Sequence, residues 1–229
     1  GHTDGSIYVW KNDGELIRSL NTESGMVLTL DYDILHNRLA AGTVDGSVHV
    51  WKKEGEQQLI KMHEHGGSLH AVLFLDDGTL ITAGSDDKLI WWDAELETKL
   101  ATIKANHGGI LGVAHTGDTI ATVGEDDVVR LWDVEGGASR ELNNQDLVVA
   151  AVSFSPDGTM LVTGSGKGFL TVWNLRKSEV INRGQAHANP FYDISISPDQ
   201  NWIATHDSVG VNIWKLDQTI ELGGAFISA

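Results

Sequence analysis

The chain has 229 residues, of which 41% are hydrophobic and 21% charged, and its formal net charge is −16. This composition is typical of a folded protein with a sizeable core, and no apolar run approaches the length needed to cross a membrane. The negative charge argues against nucleic acid and membrane surfaces as partners. It favours a basic protein or peptide, with a solvated acidic surface that has no partner as the alternative.

The ends of the chain and its lack of cysteine set further limits. Without cysteine, disulfides and thiolate metal sites are excluded, and an intracellular, cytoplasmic location is favoured. The first residues show no leader of the kind that directs secretion. Because residue 1 is glycine rather than methionine, we expect the chain to be a piece of a longer protein.

In chain order, one pattern recurs six times, which is the strongest signal in the sequence. Its tryptophans are spaced by 41, 41, 40, 41 and 41 residues. The segments that end in these tryptophans are Asp4–Trp10, Asp45–Trp51, Asp86–Trp92, Asp126–Trp132, Lys167–Trp173 and Ser208–Trp214.

Each repeat is predicted to form four short antiparallel strands. An apolar run predicts the first strand of a repeat, in Val27–Leu30, Leu69–Leu75, Ile110–Ala114, Val148–Phe154 and Phe191–Ile196. A second strand follows a short turn, in Arg38–Ala41, Thr79–Ala83, Thr119–Val123, Thr159–Thr163 and Trp202–Thr205. The tryptophan strand comes third and a more polar strand fourth. The sequence therefore predicts an all-β fold.

The glycine-rich stretch at residues 163–173, TGSGKGFLTVW, resembles a phosphate-binding loop at first sight. Such a loop needs Ser or Thr after the lysine and then a helix. Here Gly168 follows Lys167, and the next residues alternate as in a strand. We interpret the stretch as a turn between the second and third strands of a repeat.

Four short strands in each repeat, with these motifs, resemble the WD-repeat β-propeller family over the whole chain. The dipeptide that names the family occurs as Trp92-Asp93 and Trp132-Asp133. The Gly-His pair of the family is degenerate, with His65, His107 and His187 at the corresponding places. The turn aspartate of the family falls six residues before tryptophan at Asp4, Asp45, Asp86 and Asp126, but Lys167 and Ser208 occupy that place in the last two repeats.

The resemblance implies structural roles for these residues. In the family, the buried indole donates to a Ser or Thr hydroxyl, the hydroxyl contacts a loop histidine, and the histidine contacts the turn aspartate. This order pairs His65 with Asp86 and Trp92, and His107 with Asp126 and Trp132. His187 would serve Trp214 without a turn aspartate, and the Trp51 repeat has Thr43 and Asp45 but no loop histidine. The structural set is thus Trp10, Trp51, Trp92, Trp132, Trp173, Trp214, Asp4, Asp45, Asp86, Asp126, His65, His107 and His187.

Residues 1–229 are expected to form a single β-propeller domain of five full repeats plus a half blade, in a ring of six or seven blades. The half blade at the N-terminus lacks two inner strands, so the ring does not close in this sequence. The apolar segment Gly223–Ala229 is a candidate for one of these strands. A longer native chain or a partner would cover the rest of the gap.

Other clusters have simpler interpretations. His63, His65 and His70 resemble metal ligands, but His65 is already assigned to a blade and the segment is predicted to be a loop. The acidic pairs at residues 86–87 and 125–127 lie in repeated turns, which favours solvated acids over calcium ligands. The additional aromatic residues Trp91, Trp202 and Tyr192 are expected to pack in the core, with an exposed interface anchor as the alternative.

We expect a non-catalytic scaffold that binds a protein or peptide on the face carrying the loops before the first and third strands, because family resemblance implies that face. The candidate partner-binding residues are Glu64, Asp87, Glu125, Asp127 and Lys167, and the same loops hold Glu23 and Asn143–Asp146. Their acidity favours a basic partner. No metal, cofactor or catalytic residues are expected. The alternatives are an accessory subunit or sensory module of a larger assembly and, with less support, a hydrolase.

Overall fold

The computed structural model describes residues 1–52, 58–105, 108–135, 137, 140–143 and 148–216. All of its regular elements are strands, 21 in the described residues, and they form two compact units, Gly1–Ala105 and Asn106–Ala229. Among these residues no helix has the length and apolar character that crossing a membrane requires.

The first unit contains one two-stranded and two four-stranded antiparallel sheets. Its strands are β1 (Ser6–Trp10), β2 (Leu16–Asn21), β3 (Val27–Asp33), β4 (Arg38–Thr43), β5 (Ser47–Lys52), β6 (Gln58–His63), β7 (Leu69–Phe74), β8 (Leu80–Gly84), β9 (Lys88–Trp92) and β10 (Lys99–Lys104). Strands β1 and β2 form the small sheet, and the others follow the orders β3-β4-β5-β6 and β7-β8-β9-β10. Strands adjacent in sequence are therefore adjacent in space, as in a meander.

The second unit contains two four-stranded sheets and a sheet of three described strands. Its strands are β11 (Ile110–Thr116), β12 (Thr119–Gly124), β13 (Val128–Asp133), β14 (Arg140–Asn143), β15 (Val149–Phe154), β16 (Met160–Ser165), β17 (Phe169–Asn174), β18 (Glu179–Gln185), β19 (Asp193–Ile196), β20 (Trp202–His206) and β21 (Val211–Lys215). Their orders are β11-β12-β13-β14, β15-β16-β17-β18 and β19-β20-β21.

Within each unit, neighbouring sheets pack face to face. In the first unit, Val48, Val50 and Ala40 share a core with Leu80 and Trp92 of the next sheet. In the second unit, two cores join the three sheets in the same way. Most second and third strands are almost wholly buried because neighbouring sheets cover both of their faces, whereas fourth strands lie at the edge of their sheets and are more exposed.

Arg38 fastens two sheets of the first unit together. Its guanidinium donates to Asp33 Oδ2 through Nε (3.1 Å) and Nη2 (2.6 Å), and it also donates to the carbonyls of Gly78 and Ala94. Its guanidinium carbon lies 4.9 Å from the centre of the Phe74 ring. A buried guanidinium is tolerated here because its donors are satisfied in a fixed fork.

Two glycines allow side chains of the adjacent sheet to approach the backbone. A Cβ at Gly42 would lie 2.6 Å from Leu69, and one at Gly164 would run into the ring of Phe191. Leu69 and Phe191 are both almost fully buried. These positions fix the spacing between neighbouring sheets in each unit, since packed interiors leave no room for an additional carbon.

The strands confirm the predicted all-β, β-propeller class, and the segment at 163–173 is the end of β16, a turn and β17. The single domain with an incomplete ring remains a prediction. Its proposed strand, Gly223–Ala229, lies outside the described residues.

Candidate functional site

Four side chains of the first unit form a continuous hydrogen-bonded network. Trp92 Nε1 donates to Thr82 Oγ1 (3.1 Å), which lies 2.9 Å from His65 Nε2, and His65 Nδ1 lies 2.9 Å from Asp86 Oδ1. An ionised Asp86 can only accept, so Nδ1 carries the proton of a neutral imidazole and the Thr82 hydroxyl donates to Nε2. Every polar group in this chain of contacts is thus satisfied.

Burial and charge set the protonation states in this network. Burial lowers the pKa of His65, against the opposing effect of Asp86. Burial by itself would raise the pKa of Asp86, but hydrogen bonds from His65, Gly66 N and Lys88 lower it to about 2. The folded state therefore holds a neutral histidine beside a carboxylate.

A second complete network lies in the last sheet of the second unit. Trp214 Nε1 donates to Thr205 Oγ1 (2.9 Å), which lies 2.7 Å from His187 Nε2, and His187 Nδ1 lies 3.2 Å from Asp207 Oδ2. Asp207 stands seven residues before the tryptophan instead of six, so the inference that this repeat lacks its carboxylate was wrong. Hydrogen bonds from Val209 N, Asn189 and Gly210 N, together with His187, lower the pKa of Asp207 to about 2.

In two further repeats the described residues show part of the network. Trp132 Nε1 donates to Thr122 Oγ1 (3.0 Å), and Asp126 accepts from Arg130 Nη1 (2.6 Å). His107, the histidine assigned to this repeat, lies outside the described residues. Trp173 Nε1 donates to Thr163 Oγ1 (3.1 Å).

The turn before Trp173 is stabilised without an aspartate. Ser165 Oγ accepts from Lys167 N (3.3 Å) and Phe169 N (3.1 Å), which a turn carboxylate does elsewhere. The Lys167 side chain is exposed.

The two N-terminal tryptophans depart from this arrangement. Each of the networks described takes its hydroxyl from nine or ten residues before tryptophan, and the residue ten before Trp51 is the buried Ala41. Thr43, which stands eight residues before Trp51, instead donates to Asp45 Oδ1 at 2.6 Å. Trp51 is buried and stacks on His49, with ring centres 5.9 Å apart.

Trp10 is 57% exposed, whereas the family resemblance implied a buried ring. Its sheet contains only β1 and β2 in the described part of the chain, so no inner strand there covers the indole. Asp4 keeps the turn role, because its Oδ1 accepts from Ser6 N at 3.0 Å.

Two of the acidic residues proposed for partner binding are paired within the first unit. Glu64 Oε2 lies 2.8 Å from Lys99 Nζ, and Asp87 Oδ2 lies 3.1 Å from Lys104 Nζ. The hydrogen bond and charge of Lys99 lower the pKa of Glu64. Lysines of the outer strand β10 thus neutralise part of this acidic surface.

The backbone explains why aspartate recurs at the second turn position. Asp87 and Asp127 have φ values of 66° and 56°, in the left-handed region. Three other repeats have glycine at the same place, also with positive φ: Gly5, Gly46 and Gly168. Aspartate is among the few non-glycine residues that tolerate this conformation, so backbone geometry alone accounts for its presence.

The remaining candidates of the acidic face are not brought into one pocket. Glu125 is exposed and Asp127 half-buried, and neither forms an ion pair among the described residues. Glu23 is exposed in a turn, with a φ of 55°. Asn143 ends β14, and residues 144–146 lie outside the described part.

The other clusters are placed as follows. His63 Nδ1 lies 3.2 Å from Ser47 Oγ, while His65 belongs to its network. No group of three or more potential ligands for a metal occurs in the described residues. Trp91 is buried, but Trp202 and Tyr192 are 43% and 65% exposed, so the core role expected of these two was incorrect. Periodicity could not reveal this, because exposure depends on what covers a sheet.

Comparison with known proteins agrees with the blade pattern. The sequence profile of the family "WD domain, G-beta repeat" (WD40) matches residues 14–52, 56–93, 97–133 and 139–174. The chain therefore belongs to the WD40 family, which consists in general of non-catalytic interaction scaffolds.

Several characterised proteins are similar to parts of the chain. WD repeat-containing protein 55 of Arabidopsis thaliana is 30% identical over 68% of this chain and 46% of its own length. The DENN domain and WD repeat-containing protein SCD1 of the same plant is 25% identical over 95% of this chain and 19% of its own length. Eukaryotic translation initiation factor 3 subunit I of Aspergillus fumigatus is 35% identical over 48% of this chain and 34% of its own length. The chain spans less than half the length of each of these relatives.

Proposed function

We propose that this protein is a non-catalytic scaffold that binds a basic segment of a partner protein on the loop face of its blades. The observation that supports this most directly is the turn before β13. Asp126 faces inward to Arg130, while Glu125 on one side of it is exposed and Asp127 on the other is half-buried. Asp126 also accepts a backbone hydrogen bond from Val128 N (3.4 Å), so Glu125 and Asp127 are presented on an ordered turn.

The acidic residues of the two units differ in availability. Glu64 and Asp87 are already paired with Lys99 and Lys104, and a partner would have to displace these lysines. Glu125 and Asp127 form no ion pair among the described residues, so a basic side chain can approach them without first breaking an existing ion pair. The proposal therefore assigns the charge-dependent part of binding to the turn at 125–127.

The test combines Glu125→Gln with Asp127→Gly. Glycine is chosen because three equivalent positions carry it with positive φ, so charge is removed while the turn is preserved. The probe is a capped peptide of about a dozen residues rich in lysine and arginine, with a glutamine analogue, followed by fluorescence anisotropy at two salt concentrations. We expect the variant to lose about fivefold to tenfold in affinity and much of its salt dependence.

Asp87→Gly is the matched control, because it removes a carboxylate that Lys104 already neutralises. It should change affinity less than the 125/127 variant does. Equal affinity of wild type and the 125/127 variant for the basic peptide, or equal binding of the glutamine analogue, would refute the proposed face.

A second candidate function is an accessory or structural subunit, or a sensory module, of a larger assembly or longer chain. Two observations on the relatives support it. One of them is named as a subunit, and the chain covers less than half of the length of each of the three relatives described above. Size measurement of the native protein in extracts, by gel filtration with light scattering, separates the two functions. A mass equal to that of an isolated chain would contradict the second.

A further inference from the structure

A groove in the second unit runs beside β18, the outer strand of the sheet β15-β16-β17-β18. It has a volume of about 760 Å³ and is lined on its apolar side by Met160, Val172, Val180, Ile181 and Leu216. Arg176 and Lys177 contribute the positive charge of its lining. It lies away from the turn at 125–127 in sequence and, unlike that turn, carries exposed cations.

A β-bulge supplies the apolar surface of this groove. Val180 pairs with Trp173 and Asn182 with Val172, so Ile181 is an additional residue between two paired positions. A bulge redirects the inserted side chain, and Val180 and Ile181 consequently both line the groove, each 47% exposed. The same arrangement occurs in β2, where Leu16 and Ile17 stand at a bulge with 43% and 54% exposure; in β18 the two aliphatic side chains additionally line a groove.

The backbone of β18 is also available. This strand ends its sheet, and no strand pairs with its outer edge among the described residues. A free edge with exposed aliphatic side chains is a template for one more strand. Its only charged side chains are Glu179 at the start and Arg183, which lies over Phe169 with 4.5 Å between guanidinium carbon and ring centre.

The described lining of the groove carries two cations and two carboxylates, which form no ion pair with each other in the described part of the chain. Arg176 and Lys177 are exposed and have no ion pair in the described part. Two carboxylates line the groove among the described residues, Asp157 and Glu179. Asp157 is directed at its own turn, where it accepts from Ser155 Oγ (2.6 Å) and Thr159 N (3.1 Å).

The two cations stand on an ordered turn. Asn174 Oδ1 accepts from Lys177 N at 3.1 Å, and Ser178 completes the turn with a φ of 56°. Because the turn is fixed by its own hydrogen bond, the cations lose less conformational freedom when a partner binds. In a chain with a net charge of −16, an ordered pair of unpaired cations beside an apolar groove is complementary to an acidic ligand.

We propose that this groove binds an extended acidic segment of a partner protein. The segment pairs with the outer edge of β18, places aliphatic side chains against Val180 and Ile181, and places carboxylates on Arg176 and Lys177. Main-chain hydrogen bonds then supply affinity, and the alternate side chains supply specificity. This interaction is distinct from the proposed binding of a basic segment at residues 125–127, and either can fail without the other.

The test uses the full chain and a capped, fluorescent peptide of about ten residues that alternates glutamate with valine or threonine, long enough to cover β18. Analogues replace glutamate by glutamine or by lysine. We expect the glutamate peptide, but neither analogue, to bind the wild-type protein with a Kd below about 1 mM. Its binding should protect the backbone amides of β18 from hydrogen exchange. The double variant Arg176→Glu/Lys177→Glu should lose about tenfold in affinity for it and gain affinity for the lysine analogue.

Glu179→Lys provides a matched variant at the same groove, and it should bind the glutamate peptide more tightly than wild type. Val180→Thr/Ile181→Thr, which keeps β-forming residues, should weaken all binding without reversing the charge preference. The proposal is overturned if the glutamate peptide does not bind the full chain, if the glutamine analogue binds equally, or if the charge-reversed variant behaves as wild type. It is also overturned if light scattering shows a dimer that charge reversal dissociates, since a second copy would then be the occupant.

Discussion

The carboxylate of Asp207 lies 3.2 Å from His187 Nδ1, and both side chains are about 95% buried, at 5% and 4% exposure. Through His187 and Thr205 this carboxylate is connected to the indole of Trp214. The turn has changed length by one residue relative to the other repeats, yet the carboxylate occupies an equivalent place. The requirement is therefore for a charge beside the imidazole, not for a fixed spacing in the sequence.

Replacing Asp207 by alanine should destabilise the last sheet. His187 would keep a buried ring nitrogen without its partner, and the loss is expected to be about 2 to 3 kcal/mol. Urea unfolding measures it. Ser208→Ala, at the exposed neighbouring position, is the control and should change stability by less than about 0.5 kcal/mol. A larger effect at Ser208 than at Asp207 would mean that the carboxylate has been assigned incorrectly.

Thr82→Val and Thr163→Val should differ in their cost. Thr82 has two partners, Trp92 and His65, while Thr163 receives only the indole hydrogen bond of Trp173 in the described structure. Valine preserves the shape and removes the hydroxyl in both cases. We expect a loss of about 2 to 3 kcal/mol at Thr82 and about half of that at Thr163, measured by thermal and urea unfolding. Equal losses would show that His65 contributes nothing through this contact.

Much of the fold could be predicted because the tryptophan period alone fixes where each group of strands lies. The contacts of His65 with Asp86, and through Thr82 with Trp92, agree with what the resemblance to the family implies. Asp207 could not be predicted because it stands seven residues before Trp214, whereas the repeat places its aspartate six residues before tryptophan. The exposure of Trp10 and Trp202 depends on strands beside them, which no local pattern reports. The single domain, the closure of the ring and the cytoplasmic location remain predictions.

The free energy of unfolding should fall in two stages as the pH is lowered, and both stages arise in the network of His65 and Asp86. Burial lowers the pKa of His65 below its ordinary value of 6.5, so below that pH the unfolded chain takes up a proton that the folded chain resists. Stability is then lost as the pH falls. Asp86, with a pKa of about 2 in place of 3.8, adds a second loss as the pH falls below 3.8.

Urea midpoints of wild type and His65→Gln, compared across this range, isolate the first stage. Glutamine does not titrate, so the variant should be less stable near neutral pH but lose less as the pH falls below 6.5. Parallel pH profiles of the two proteins would show that His65 does not control this stage.

Arg38→Met should destabilise the first unit by about 3 to 5 kcal/mol, because it leaves the buried Asp33 carboxylate without its cation. Arg38→Lys should recover only part of this loss, since an ammonium group cannot replace a fork that also reaches Gly78 and Ala94. His36→Ala is the control, because His36 contacts the same carboxylate from a half-exposed position. Wild-type stability of Arg38→Lys would show that the fork geometry is dispensable.

Gly164→Ala should cost about 1 to 3 kcal/mol by overpacking, because its new methyl group meets the ring of Phe191. Gly210→Ala, where no atom lies within 4 Å of the added carbon, should be close to neutral. Combining Gly164→Ala with Phe191→Leu should cost less than the sum of the single changes. Strict additivity would contradict the close contact.

Gly5, Gly46, Asp87, Asp127 and Gly168 occupy the same left-handed turn position in their repeats. At this position the charge of the surface and the conformation of the backbone can change independently. Aspartate can give way to glycine there with the loss of a full unit of charge and no backbone strain. The reverse change is closed at Gly46 and Gly168, where a Cβ would lie 2.6 Å from the carbonyl oxygen of Gly67 and 2.0 Å from that of His187. Evolution can therefore discharge this surface blade by blade through single substitutions more readily than it can charge it.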